Sequence, residues 1–145
     1  MGDFAADVAK AGTKTLKKMD LGVRKISLEL FSKVILRSPV DTGLFRGNWQ
    51  VSVGSIPSGT LEIEDKEGTA TVSKAAAAAA GVKAGDIIYL ANNLPYAMRL
   101  EEGGYPDGPK VLNGRSSQAP DGMVALTAQE FKSIVDAIGM ELVVL

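Results

Sequence analysis

Apolar residues recur along the first quarter of the chain at Leu16, Met19, Val23, Ile26, Leu30 and Val34, in steps of three and four that place them on one stripe of a helix. The spacing predicts a single long helix over residues 3–37. Leu28, Phe31 and Ile35 widen the stripe toward the C-terminal end, which is therefore expected to be the more deeply buried. Lys17, Lys18, Arg24, Lys25 and Lys33 fall mostly off it. Gly12 and Gly22 are expected to weaken or bend the helix. Pro39 stops it, with Ser38 pushed toward an extended conformation.

The period then changes. After a turn at residues 39–43, Asn48-Trp49-Gln50-Val51-Ser52-Val53 alternates polar and apolar, as a strand buried on one face does. Ile56-Pro57-Ser58-Gly59 reads as a turn. Leu61-Glu62-Ile63-Glu64 alternates again, Asp65-Lys66-Glu67-Gly68 reads as a hairpin loop, and Thr69-Ala70-Thr71-Val72 as the returning strand. The six alanines within residues 74–81 predict a short helix closed by Gly81, with a low-complexity linker as the alternative. Ile87-Ile88-Tyr89-Leu90-Ala91 is apolar on both faces, the pattern of a central strand covered on both sides.

Residues 94–104 predict one or two helical turns opened by Pro95 and closed by glycine. Residues 103–119 hold four glycines and two prolines with little periodicity, a long loop of the kind that carries function or is disordered. Pro120-Asp121-Gly122 reads as a helix start. The last helix is predicted over 123–138, with Val124, Phe131, Ile134, Val135 and Ile138 on its apolar face, and residues 141–145 as a final strand or tail. The predicted architecture is α+β: a long N-terminal helix and a C-terminal helix packed on a mainly antiparallel sheet of about four strands. Residues 1–145 are expected to form a single domain, with no internal repeat and no linker.

Composition narrows the chemistry. The chain has 145 residues, enough to bury a core. Its 16 basic and 17 acidic residues give no strong field of either sign. It has no cysteine and no histidine, so disulfides, thiolate nucleophiles, Cys or His metal ligands and every Ser-His or Cys-His arrangement are excluded. Two carboxylates alone can still run a hydrolase. The candidates are Asp41, Asp86, Glu101, Glu102, Asp107 and Asp121, for which solvated surface acids are the plainer reading. Glu101 and Glu102 are neighbours, so their side chains diverge. The glycines at 103, 104 and 108 follow a helical turn rather than a strand, which is the wrong context for a phosphate loop. Lys14, Lys17, Lys18, Arg24 and Lys25 make a basic segment that could touch DNA phosphates, against the plainer reading of a solvated helix face. No stretch approaches the roughly 20 apolar residues of a membrane span, and Met1-Gly2-Asp3-Phe4 does not open like a signal peptide. The expectation is a protein made in the cytoplasm, without membrane association, cofactor, metal or catalytic residues.

Two motifs go further. Ser38-Pro39-Val40-Asp41-Thr42-Gly43-Leu44-Phe45-Arg46-Gly47-Asn48-Trp49 follows the long helix, and Leu94-Pro95-Tyr96-Ala97-Met98-Arg99-Leu100-Glu101-Glu102-Gly103 follows the apolar strand. The pair resembles the tail-completion (neck, or minor tail component) proteins of long-tailed bacteriophages. In that family a Pro-Val-Asp-Thr-Gly turn with a following basic residue precedes the first strand, a Tyr-Ala…Glu-x-Gly segment comes later, and a C-terminal helix closes the fold. The resemblance spans about residues 20–140. The polar loop 105–119 and the alanine run depart from the pattern.

The resemblance implies a structural virion protein at the head–tail junction, assembled in the host cytoplasm and joining tail to head as a ring of about six copies. It also implies contacts with tail terminator or tail tube proteins, with head-closure or connector proteins, and weakly with packaged DNA. Alternatives are a tail terminator or head-closure protein, a carboxylate-dependent hydrolase for which Glu101→Gln abolishes turnover without harming the fold, and a DNA-binding module using Lys17, Lys18 and Arg24. Pro39, Thr42 and Gly43 are expected to build the turn, with Asp41 accepting backbone N–H bonds there or meeting a neighbouring subunit. Arg46 pairs with Asp41 or Glu101, or else joins Tyr96, Arg99, Glu101 and Glu102 in subunit contacts. Trp49 reads as core. The loop, with Tyr105, Lys110 and Arg115, and both termini are expected to carry further ring contacts.

Overall fold

A computed structural model of the chain describes residues 2–143. Its first element, α1 (Gly2–Arg37), is one continuous helix of 36 residues. The two ends differ as the widening stripe predicts. Residues 3–17 are exposed throughout, whereas Val34 and Ile35 are buried. The helix runs through Gly12 and Gly22, and at Gly22 the missing side chain leaves room for Leu142. It ends where Ser38 Oγ donates back to the Val34 carbonyl at 2.9 Å, just before Pro39.

The chain continues through α2 (Leu44–Gly47), β1 (Gln50–Val53), α3 (Thr69–Ala79), β2 (Ile88–Ala91), α4 (Ala97–Glu102), β3 (Val111–Leu112), β4 (Arg115–Ser116), α5 (Val124–Gln129) and α6 (Phe131–Val143). The buried part of α1 is the spine, packed against α3, α5 and α6, and α3 also covers β1. The core joins Val34 and Ile35 to Phe45, Trp49, Ala75, Ala119 and Met123.

The class is α+β, with a long N-terminal helix, a C-terminal helix and short antiparallel strands, but the four-stranded sheet is corrected. Among the described residues, β1 pairs only with β2, from Gln50 opposite Ala91 to Val53 opposite Ile88. β2 is therefore not a central strand, although it is apolar on both faces. Residues 61–64 alternate in burial as predicted, yet among the described residues they pair with no strand. The Asn48 side chain satisfies the backbone of Leu61 instead, and the turn at Gly43 holds Asp65 just beyond the segment. Asn48 Oδ1 accepts from Leu61 N at 2.7 Å and its amide donates to Leu61 O at 2.9 Å, while Gly43 O accepts from Asp65 N at 3.0 Å.

The predicted returning strand at 69–72 is the first turn of α3. The Asp65 carboxylate accepts from Gly68 N, Thr71 N and the Thr71 hydroxyl, capping a helix that the alanines then propagate. Burial acts to raise the Asp65 carboxyl pKa. The Thr71 and Gly68 hydrogen bonds and the Arg46 guanidinium outweigh it, so the group sits below its ordinary value. The alanine run is thus helix rather than linker. Its end does not use Gly81 in a left-handed conformation, since the C-cap is Ala80.

The predicted last helix is two helices broken at Glu130. The break turns the Glu130 carboxylate onto α1, where it accepts from Lys33 at 2.9 Å and Arg37 at 2.6 Å. Residues 141–143 continue α6 rather than forming a strand, and the last two residues of that predicted tail lie outside the described residues. The long loop is not structureless. β3 and β4 form a hairpin in it, turned by Asn113 and Gly114 at φ 55° and 76°, the paired positive angles of a type I′ turn.

Candidate functional site: a cleft between the two motifs

The two motifs lie 45 residues or more apart in sequence, and the fold brings them together. The Pro39–Phe45 turn, Tyr96 and Leu100 of the second motif, and Tyr105, Lys110 and Ser116–Gln118 of the loop line one cleft of about 460 Å³.

Close backbone packing shapes the turn wall. Gly43 has φ 92°, and a Cβ there would sit 2.6 Å from Lys66 N and 2.7 Å from the Asp65 backbone. Gly47 meets the Ile63 carbonyl in the same way. The cap expected of Asp41 falls to Thr42, whose Oγ1 accepts from Leu44 N at 3.2 Å. Asp41 is left at the exposed edge of the cleft. Gln118 holds the turn from across the cleft, accepting from Val40 N at 2.9 Å and donating to Val40 O at 3.0 Å as a neighbouring strand would.

The second wall joins the first through aromatic packing. The Phe45 ring lies 6.0 Å from Tyr96 and 5.7 Å, edge-on, from Trp49. Trp49 is core, its indole N–H donating to Ser38 Oγ at 2.7 Å. Asn92 Nδ2 donates to Phe45 O at 2.9 Å. Burial pushes the Tyr96 phenol above its ordinary pKa, and Tyr105 and the Asp41 carboxylate push it the same way.

The remaining predicted residues separate by what they touch. Arg46 pairs with neither Asp41 nor Glu101. Its guanidinium donates to the carbonyls of Lys66 at 2.7 Å, Leu36 at 2.8 Å and Ser38 at 2.9 Å, fastening the end of α1 to the segment before α3. Burial lowers its pKa, against the Coulombic pull of Asp65. Glu101 accepts from Met123 N, Val124 N and Ala125 N at 2.8–3.0 Å and so caps α5. Arg115 donates to the carbonyls of Glu101 and Pro120. These three charged side chains hold the subunit's own backbone. Arg99 lies 5.4 Å from the Tyr105 ring centre, in a cation–π contact. Glu102 and Lys110 are exposed, Lys110 on the cleft wall.

The cleft therefore offers one carboxylate, one ammonium, two phenols and serine hydroxyls around an aromatic floor. That mixture suits a peptide segment, which needs hydrogen bonds and an apolar seat together. Sequence reasoning missed Gln118 and Glu130, because each acts on residues far away in the chain. It also passed over Asn113-Gly114, a recognised hairpin signal. Among the described residues, no group of three or more acidic side chains is placed to hold a metal ion, and no helix is long and apolar enough to cross a membrane.

Compared with family models, curated proteins and solved structures, the chain matches none.

The position of Glu101 makes one prediction against the hydrolase alternative. Glu101→Gln replaces one acceptor oxygen with a donor that faces backbone N–H groups. It is expected to cost about 1–2 kcal/mol, read as a lower urea midpoint at unchanged slope. An unchanged midpoint would contradict the capping role.

Proposed function

We propose that the protein is a structural subunit of the head–tail junction of a long-tailed phage, working by assembly into a ring that completes the tail and receives the head. One observation carries the reading: the single subunit leaves a large apolar surface uncovered. Phe4, Val8, Leu16 and Met19 on α1, Val124, Phe131 and Met140 near the C-terminus, Ile87 beside β2 and Met98 on α4 are all exposed. Scattered exposed apolar residues are ordinary, whereas extended patches mark surfaces that a partner covers.

The convergence of the two motifs on one cleft supports the same reading. A subunit in a head-to-tail ring presents two different faces. The cleft, rimmed by Asp41, Tyr96, Tyr105 and Lys110, is suited to receive a segment of a neighbouring subunit or of the next ring. Tail terminator and tail tube proteins on one side and head-closure or connector proteins on the other are the partners this station requires. Tail terminator or head-closure protein is the neighbouring alternative, distinguished by which purified ring the protein binds.

The test is deletion of the gene from the phage or prophage that encodes it, followed by electron microscopy of the lysate. Filled heads beside complete, unattached tails are expected. Normal infectious particles would overturn the reading.

A further inference from the structure

The hairpin in the loop that walls the cleft turns on an Asn-Gly pair. In such a pair the glycine nitrogen can attack the preceding side-chain carboxamide with no Cβ of its own to hinder the approach. Asn113-Gly114 is the one such pair among the chain's four asparagines.

The fold sets Asn113 apart from the other three. Asn48 Nδ2 donates to Leu44 O and Leu61 O, Asn92 Nδ2 to Phe45 O, and Asn93 Nδ2 to Pro57 O and Gly59 O, so each of those carboxamides is held by backbone. Asn113 is exposed, and among the described residues neither its carboxamide nor Gly114 N has a hydrogen-bond partner. The strands that hold the turn are short, with Val111 opposite Ser116 and Leu112 opposite Arg115. A two-stranded hairpin of this size is marginal by itself. Opening it far enough for Gly114 N to reach the Asn113 side chain therefore costs much less than unfolding the chain.

We propose that Asn113 is a deamidation site, where a modification that needs only water rebuilds the tip of the cleft-wall hairpin. Gly114 N loses its proton and attacks Asn113 Cγ. The bond from Cγ to the side-chain nitrogen breaks, ammonia leaves, and a succinimide ring closes. Water then opens the ring. Attack at Cγ restores the backbone and leaves aspartate. Attack at the main-chain carbonyl carbon leaves isoaspartate, with the chain running through Cγ. In both cases carboxamide plus water becomes carboxylate plus ammonium, and the formal charge of the chain moves from −1 to −2.

The two products differ in what the fold can absorb. Aspartate followed by glycine suits the same type I′ turn. Isoaspartate adds a methylene carbon to the backbone of a two-residue turn that has no slack. Gly114 O accepts from Tyr105 N at 2.9 Å. A Cβ on Gly114 would lie 3.2 Å from Gly104 N, and one on Gly103 would lie 3.2 Å from Gly114 O. The isoaspartate form loses the Tyr105–Gly114 bond, and the wall that carries Tyr105 and Lys110 loosens. The site stands independently of the ring reading.

The test ages the full-length chain at mildly alkaline pH and digests it with trypsin, which cuts after Lys110 and Arg115 and releases residues 111–115 as one peptide. Mass spectrometry is expected to find the amide-to-acid mass increase in that peptide, as two products separable by chromatography. It is expected to accumulate roughly tenfold or more faster than at Asn48, Asn92 or Asn93. An isoaspartate-specific methyltransferase is expected to label one of the two products. Asn113→Gly keeps a pair of residues that the turn accepts, and is expected to abolish the modification with an unchanged circular dichroism spectrum. In aged wild type the Tyr105 amide is expected to exchange its hydrogen faster than in Asn113→Gly aged alongside it. No mass increase in residues 111–115 of the folded chain, or one no faster than at the other three asparagines, would overturn the site. Isoaspartate formed with Tyr105 exchange unchanged would overturn the loosening of the wall.

Discussion

Gly43→Ala is expected to destabilise the protein by about 3 kcal/mol or more, a large fraction of the 5–15 kcal/mol typical of a domain. Two costs combine. A left-handed backbone conformation costs a residue with a Cβ about 1–2 kcal/mol. The new methyl would also lie 2.6–2.7 Å from the backbone of Asp65 and Lys66. That backbone cannot easily retreat, because Gly43 O holds Asp65 N, Arg46 holds Lys66 O, and Asp65 in turn caps α3.

Gly59→Ala is the control. Its φ is 77°, yet nothing lies within 4 Å of the added Cβ. It carries the conformational cost alone, so the difference between the two urea midpoints isolates the close approach. Equal midpoints would remove the case that the Pro-Val-Asp-Thr-Gly turn is held by the segment behind it.

That close approach also marks where the sequence stops being legible. Elements set by local pattern were readable: the apolar period of α1, a strand at β1 (although its burial does not alternate, Val53 being exposed), and Pro95 and Gly103 bounding α4. Elements set by distant partners were not. Residues 61–64 alternate because one side faces the body, but a buried carboxamide takes the place of a strand partner. Residues 69–72 look like a strand and form a helix because Asp65 supplies the cap. The break between α5 and α6 exists where Glu130 turns to Lys33 and Arg37, more than 90 positions earlier. In the candidate site, Asp41, Tyr96, Tyr105 and Lys110 do share a cleft. The local roles of Arg46, Glu101 and Arg115 were hidden, because a charged residue reads the same in sequence whether it faces a neighbour or its own subunit's backbone. Gln118 reaches Val40 across 78 positions, which no local pattern records.

Asn48→Asp tests the buried carboxamide through its charge. Asn48 is 0% exposed. Its Nδ2 donates to Leu44 O at 2.7 Å and Leu61 O at 2.9 Å, and Oδ1 accepts from Leu61 N. The introduced carboxylate, when ionised, keeps the last bond, leaves both carbonyls without a donor and buries a charge against them. The expected cost at neutral pH is about 3–5 kcal/mol.

The sign with pH is the distinguishing part. Burial and two facing carbonyls raise the folded pKa of the introduced carboxyl above its unfolded value of about 4. Protonation lets it donate to one carbonyl, so the variant gains stability as pH falls through that raised value toward the unfolded value of about 4. The native groups run the other way. Hydrogen bonds from Arg37 and then Lys33 hold Glu130 below its ordinary value, and Asp65 is held low as well. Their stabilisation is complete above the unfolded carboxyl range near 4 and is lost only as pH falls below it. Between about pH 7 and 5 the wild type therefore holds its contribution from these groups while Asn48→Asp recovers. Urea midpoints across that window should converge. A constant gap would mean that residue 48 meets water rather than Leu44 and Leu61, and the packing of the 61–65 segment on the first motif would have to be redrawn.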